Sequence, residues 1–468
     1  MIRKAIRLLV CAAVATLTAA TGTPTMALVG GAGDPAPAAP ADAKTGTEAE
    51  RSGEIRSNAE ISSSSTAESE ADSSPSTGPK LNPEGVLALL DVMDAVAALH
   101  PNFEDTAETF REMGEEELEA ALQQVRKRNE EDEALRSAID DMLNTMTYQV
   151  YFTRFRNVTP ELVRDLILDL PYKQRSAPGG TADMYRELLP KRSEVRAGLE
   201  RLLAEVDMDW IYETAERWAP EEDRETPTIY LIYDSNAGSY TAQGIPFFNL
   251  YGDLQIEKLD SEDDGSALLE AQGTMAHELQ HVMARPYLYP QSRPNRTWRD
   301  VWVDRITRSL VSEGVAIHCN PPTGMKKEIY EDRMVLAALV ARLNDLLVAL
   351  SENEMMEEEV QEWNRANYHS FAEGLLRQRL ENTYSGDELE AKVREHMPLR
   401  PDMAHALGWW MVSRISKRGT RPDAAISLLT DPYPVYPLYN KACDENCEGL
   451  RISPEAIEYL QSVSHMPE

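Results

Sequence analysis

The sequence is poor in cysteine, poor in cations and without long apolar runs past its first 30 positions. Four cysteines in 468 residues exclude a scaffold built on disulfides. Only Cys443 and Cys447 stand close together. With no second pair, a cysteine-based zinc motif is disfavoured; in an exported chain a local disulfide is compatible with this spacing, but the sequence leaves open whether Cys443 and Cys447 form it. No cysteine lies between Cys11 and Cys319, which rules out a cysteine latch ahead of the folded body. Lys and Arg total 47 against 79 Asp and Glu, a formal net charge of −32. Such a chain would release few counterions from a phosphate backbone, so nucleic acid is not expected as a partner. Docking on an anionic membrane surface is disfavoured for the same reason. Beyond the N-terminus no stretch reaches the roughly 18 consecutive apolar residues of a spanning helix, so no transmembrane span is expected after signal removal.

The N-terminus carries an export signature. Arg3, Lys4 and Arg7 precede a short apolar run, Leu8 to Ala20, and small residues follow. Residues 1–27 are read as a signal peptide, which places the mature chain outside the cell or in the periplasm or cell envelope. Residues 28–80 are rich in Ala, Pro, Ser, Thr and Glu and have no aromatics, with a four-serine run at Ser62–Ser65. Too little apolar surface is present there to offset chain entropy, so a disordered linker is expected, in preference to a pro-segment.

Two regions follow. Residues 81–225 carry helix-period apolar patterns such as Val86-Leu87-Leu89-Leu90-Val92-Met93, which predicts a helical N-terminal region. In residues 226–468, Thr228–Tyr233 and Ile245–Tyr251 have the β-branched and aromatic content of strands, and Ser239–Gln243 is a third candidate. After Asp264-Gly265 the helical pattern returns almost to the end. The expected fold class is α+β, predominantly helical, with a small mixed sheet packed on one helix that carries the chemistry.

That helix is the run Ala267–Arg285, which holds His277-Glu278-Leu279-Gln280-His281, an H-E-x-x-H motif. Residues four apart share a helix face, so the two imidazoles can meet one ion. Neutral imidazole suits Zn²⁺, at a Zn–N distance of ~2.0–2.1 Å. Glu278, turned about 100° around the helix from His277, is placed to take a proton from the zinc-bound water. A third ligand is needed. The metzincin spacing would put a histidine at 287, where Tyr287 stands, and a glycine at 284, where Ala284 stands. A second amphipathic run, Trp302–His318, contains Glu313-Gly314-Val315-Ala316. Glu313 is the candidate third ligand, with Gly314 and Ala316 allowing that helix to approach the first. For the donor to the tetrahedral oxyanion, His405 in Ala404-His405-Ala406-Leu407-Gly408-Trp409-Trp410 is the first candidate, with Tyr368 and Tyr384 in reserve.

The combination His277-Glu278-x-x-His281 with Glu313-Gly314-x-Ala316 resembles the gluzincin, or thermolysin-like, class of zinc metallopeptidases over residues 245–318. The resemblance implies zinc as cofactor, a peptide or protein substrate, and an edge strand above the active-site helix that pairs with extended substrate. Ile245–Tyr251 is the candidate for that strand. The class places an aspartate four residues after the ligand glutamate; here that residue is Ile317, so support for the ligands must come from elsewhere, with Asp304 and Asn320 as candidates. The sequence thus points to an exported single-zinc peptidase with Glu278 as general base. The alternative is an inactive helical cell-envelope binding protein that retains a metal site, against which the intact Glu278 speaks.

Overall fold

The computed structural model describes residues 80–464 apart from 104–114, 172–179, 222–226, 253, 255, 257–264, 289–296, 369, 397–400, 444–446 and 448. The signal and all of the linker but Lys80 lie outside the described residues. A two-residue strand, β1 (Leu81–Asn82), opens the fold. Among the described residues, helices α1 (Glu84–Leu99), α2 (Glu115–Glu131), α3 (Glu133–Asn144), α4 (Met146–Arg154), α5 (Pro160–Leu168), α6 (Thr181–Glu205) and α7 (Met208–Glu216) follow it. Strands β2 (Ile229–Ile232), β3 (Tyr240–Ala242) and β4 (Ile245–Asn249) come next. Then come α8 (Ser266–Leu288) and α9 (Trp298–Ala316), which ends in a 3₁₀ turn over Ile317–Cys319. The C-terminal helices are α10 (Gly324–Tyr330), α11 (Arg333–Ser351), α12 (Glu357–Tyr368), α13 (Ser370–Leu380) and α14 (Gly386–His396). A π-helical turn, Met403–Leu407, leads into α15 (Gly408–Ile415), α16 (Pro422–Thr430), α17 (Val435–Ala442) and α18 (Pro454–Ser464). The fold is α+β and predominantly helical, as the patterning predicts.

The four strands form one mixed sheet in the order β1-β2-β4-β3. β1 pairs parallel with β2, β2 parallel with β4, and β3 antiparallel with β4, with Tyr240 opposite Phe247. This corrects the assignment of 245–251 as the edge strand. β4 is bonded on both sides and the edge beside it is β3. The burial of Phe247 and Phe248 on opposite faces of β4 is what an interior strand requires. The sheet is covered on both faces. α8 packs on β3 and β4, reached by Thr241, whose hydroxyl contacts Glu278. On the other face α1 packs on β2, and Tyr240 meets Phe155 just past α4.

α9 starts at a capping box. The Thr297 hydroxyl accepts from the Asp300 N–H, and the Asp300 carboxylate accepts from the Thr297 N–H, satisfying two donors that a helix start leaves open. By length and composition α11 would be able to cross a membrane; its buried leucines, among them Leu336, Leu339, Leu343 and Leu347, belong to the core. Cys443 and Cys447 form a disulfide, while Cys319 is buried with its Sγ 3.7 Å from the Thr214 carbonyl oxygen.

Candidate metal centre

α8 carries His277 and His281 on one face, and their Nε2 atoms are 3.0 Å apart. Glu313 comes from the last turn of α9, which packs against α8. Its Oε2 lies 3.4 Å from Nε2 of both histidines. Among the described residues, His277, His281 and Glu313 present ligand atoms that all lie within 4.8 Å of one another. Bonds of ~2.0–2.1 Å to a tetrahedral ion put neighbouring ligand atoms about 3.3 Å apart, close to these spacings.

The donor set fits a divalent cation on further grounds. Oε2 of Glu313 is buried and has no hydrogen-bond partner. The carboxylate also sits at the end of α9, where the helix dipole disfavours negative charge. Burial alone would raise the Glu313 pKa, but the charges of His405 and His281 outweigh it and hold the group well below its ordinary value. Burial pulls His277 down to about 4, which leaves it neutral, the form that binds metal. Burial acts on His281 in the same direction, but the Glu313 charge and contact overcome it and leave its pKa raised.

Contacts around these residues come from distant segments. The Ser312 hydroxyl is 2.9 Å from His281 Nδ1, the position from which a partner fixes the ring of a ligating histidine. Asp304 and Asn320, the candidates from sequence, are engaged elsewhere. Asp304 binds Arg308 at 2.7 Å and the Tyr433 hydroxyl at 3.0 Å. Asn320 donates to Thr274 at 3.2 Å. Glu278 is buried, and Oγ1 of Thr241 lies 3.1 Å from both its carboxylate and its main-chain oxygen. The carboxylate is therefore held between the edge strand and the helix.

His405 reaches the same place from the C-terminal region. Its Nε2 is 3.4 Å from Glu313 Oε2, and its Nδ1 is 3.0 Å from both oxygens of Asp402. Asp402 also caps the π-helical turn by accepting from the His405 N–H. This aspartate was not picked out from sequence; the Asp-x-x-His spacing, in which a capping residue can reach back to a side chain three positions on, was the available signal. The approach depends on two glycines. A Cβ on Gly314 would lie 2.5 Å from the Gly408 carbonyl oxygen, and one on Gly408 would collide with the Leu310 carbonyl oxygen. Gly314 therefore opens α9 to α15, not to α8 as its place in the sequence suggested. The close approach to α8 is made at Gly273, packed against Asn320. Because backbone cannot yield as a flexible side chain does, Gly408→Ala is expected to destabilise the protein by about 3 kcal/mol. Urea unfolding checks this, and an unchanged midpoint would show that the contact is slack.

His318 and Tyr384 lie in other surroundings. The Nδ1 of His318 is 2.9 Å from the Gly314 carbonyl oxygen, its Nε2 is 3.3 Å from Ser413 Oγ, and its ring lies 4.4 Å from Trp218. Tyr384 lies beneath Lys392. The Tyr368 side chain and His369 are outside the described residues.

Residues 116–448 match the model of a protein family described as "Putative zinc dependent peptidase (DUF5700)". No curated protein and no solved structure matches the chain.

Proposed function

The chain belongs to that zinc-dependent peptidase family, and from this premise we propose that it is an exported gluzincin-type metallopeptidase. The observation that carries the proposal is the buried, unpartnered Oε2 of Glu313, set 3.4 Å from two imidazole nitrogens of one helix. His277, His281 and Glu313 hold the zinc. Bound there, zinc supplies Lewis acidity, polarising the scissile carbonyl and making a neighbouring water more acidic. Glu278, steadied by Thr241, takes the proton of that water as its oxygen attacks the carbonyl carbon. The same carboxyl then delivers the proton to the leaving nitrogen as the C–N bond breaks. His405, held at Nδ1 by Asp402, turns its Nε2 towards the ligand cluster and donates to the oxyanion.

The substrate is an extended peptide that adds to the outer side of β3. Thr241 then places peptide backbone beside Glu278. A retained but inactive metal site would have no need for a buried base braced from the edge strand, which favours turnover over simple binding. Export follows from the N-terminal charge and apolar run. Purified mature protein is expected to carry about one zinc per chain and to cleave a peptide library. Dialysis against a chelator should stop cleavage and added zinc should restore it. Equal cleavage by metal-free protein would exclude this mechanism.

A further inference from the structure

Ser312 directly precedes Glu313 on α9 and is buried. A serine inside a helix can turn its hydroxyl back to the carbonyl four residues earlier. Here the hydroxyl reaches across to α8, where its Oγ lies 2.9 Å from Nδ1 of His281. The other nitrogen of that ring, Nε2, is 3.4 Å from Glu313 Oε2 and 3.0 Å from His277 Nε2. Two neighbouring residues of α9 therefore meet both nitrogens of one imidazole. A single contact would leave the ring free to settle in more than one orientation. With two, a half-turn about the bond to Cβ puts carbon where each nitrogen stood, and both contacts are lost together.

A neutral imidazole that offers the lone pair of Nε2 to a cation carries its one proton on Nδ1. That N–H points at the Ser312 oxygen. Left without an acceptor in a buried place, it would cost free energy, so the hydroxyl favours the form of the ring that binds metal. Because the hydroxyl is neutral, it does this without setting a second negative charge beside the buried Glu313 carboxylate, where like charges would oppose each other. We propose that Ser312 is the positioning residue of His281: its hydroxyl accepts the Nδ1–H and holds Nε2 towards Glu313 and His277 for zinc. This rests on the zinc-peptidase reading of the site. One helix thus supplies a ligand and the support of a second ligand from adjacent residues. A contact of the same kind outside the ligand cluster provides a comparison: Ser413 Oγ lies 3.3 Å from His318 Nε2, and Ser413 is also buried.

The test measures zinc affinity of the full mature protein by competition with a chromophoric chelator. Ser312→Ala is expected to bind zinc about 10–100-fold more weakly than the wild type. Ser312→Thr keeps the hydroxyl and should keep most of the affinity, and Ser413→Ala should leave it at the wild-type level. Urea unfolding with and without added zinc separates positioning from a merely structural role. A structural serine would shift the midpoint equally in both conditions. A positioning serine reduces the gain in midpoint that zinc brings, because a weaker ligand stabilises less. Should Ser312→Ala be recovered unfolded, the comparison passes to Ser312→Thr against Ser312→Val, which share a shape and differ in the hydroxyl. Unchanged zinc affinity in Ser312→Ala, or an equal loss in Ser312→Thr, would overturn the role of Ser312 and leave the metal site and the peptidase standing. A wild-type protein that binds no zinc would remove both.

Discussion

Glu278→Gln should lower peptide hydrolysis by about a thousandfold while zinc content stays at the wild-type level. The amide keeps the shape of the side chain and its contact with Thr241, 3.1 Å away, but it cannot accept the proton of an attacking water. Because Glu278 lies outside the proposed ligand set, the cluster of His277, His281 and Glu313 that could hold a metal ion, metal binding should not feel the change. Turnover on the peptide library and zinc by elemental analysis are measured on the same preparation. Undiminished turnover would remove Glu278 as the base, and loss of zinc would make it a ligand.

Glu313→Ala should act in the opposite sense and strip the metal. It leaves His277 and His281 as the only paired donors, and two imidazoles hold zinc poorly. Changes to residues that merely support a ligand cost about 10–100-fold in affinity, so loss of a ligand should exceed about 100-fold. Competition with a chromophoric chelator reads the difference directly. Full zinc occupancy in the variant would take Glu313 out of the site, and its contact with His405 at 3.4 Å would then be the reason for its burial. Together the two variants separate the chemistry from the metal: one should bind without cutting, the other should lose the ion.

Much of the constellation was legible because it is local. His277 and His281 are one helical turn apart, and a spacing of four has one meaning on a helix. The strands showed themselves by β-branched and aromatic content, and their observed cores, Ile229–Ile232 and Ile245–Asn249, fall inside the expected ranges. The cysteine pair, which its short spacing left open, is joined in a disulfide. Strand order was not legible. β4 has the more hydrophobic sequence and was read as an edge, yet it is bonded by β2 in parallel and by β3 in antiparallel. Nothing along the chain records that β2 skips β3 to reach β4. The braces of the site are equally silent. Ser312 reaches His281 across 31 positions and Thr241 reaches Glu278 across 37, and a serine or threonine carries no periodic mark.

Taken alone, the amino-acid order determined the helix that offers two imidazoles and a carboxylate, because that geometry repeats every turn and needs no partner. It also marked Glu313 and His405 as chemistry in search of a place. Tertiary structure decided what those two residues face. Gly314 and Gly408, far apart along the chain, let two helix backbones touch, and this contact sets His405 beside Glu313. It likewise decided that Tyr240 and Thr241, adjacent in one short strand, serve opposite faces of the sheet, one beneath Arg154 and one against Glu278. Close packing is a property of pairs of surfaces, and a linear sequence specifies each surface without stating which other surface it will meet.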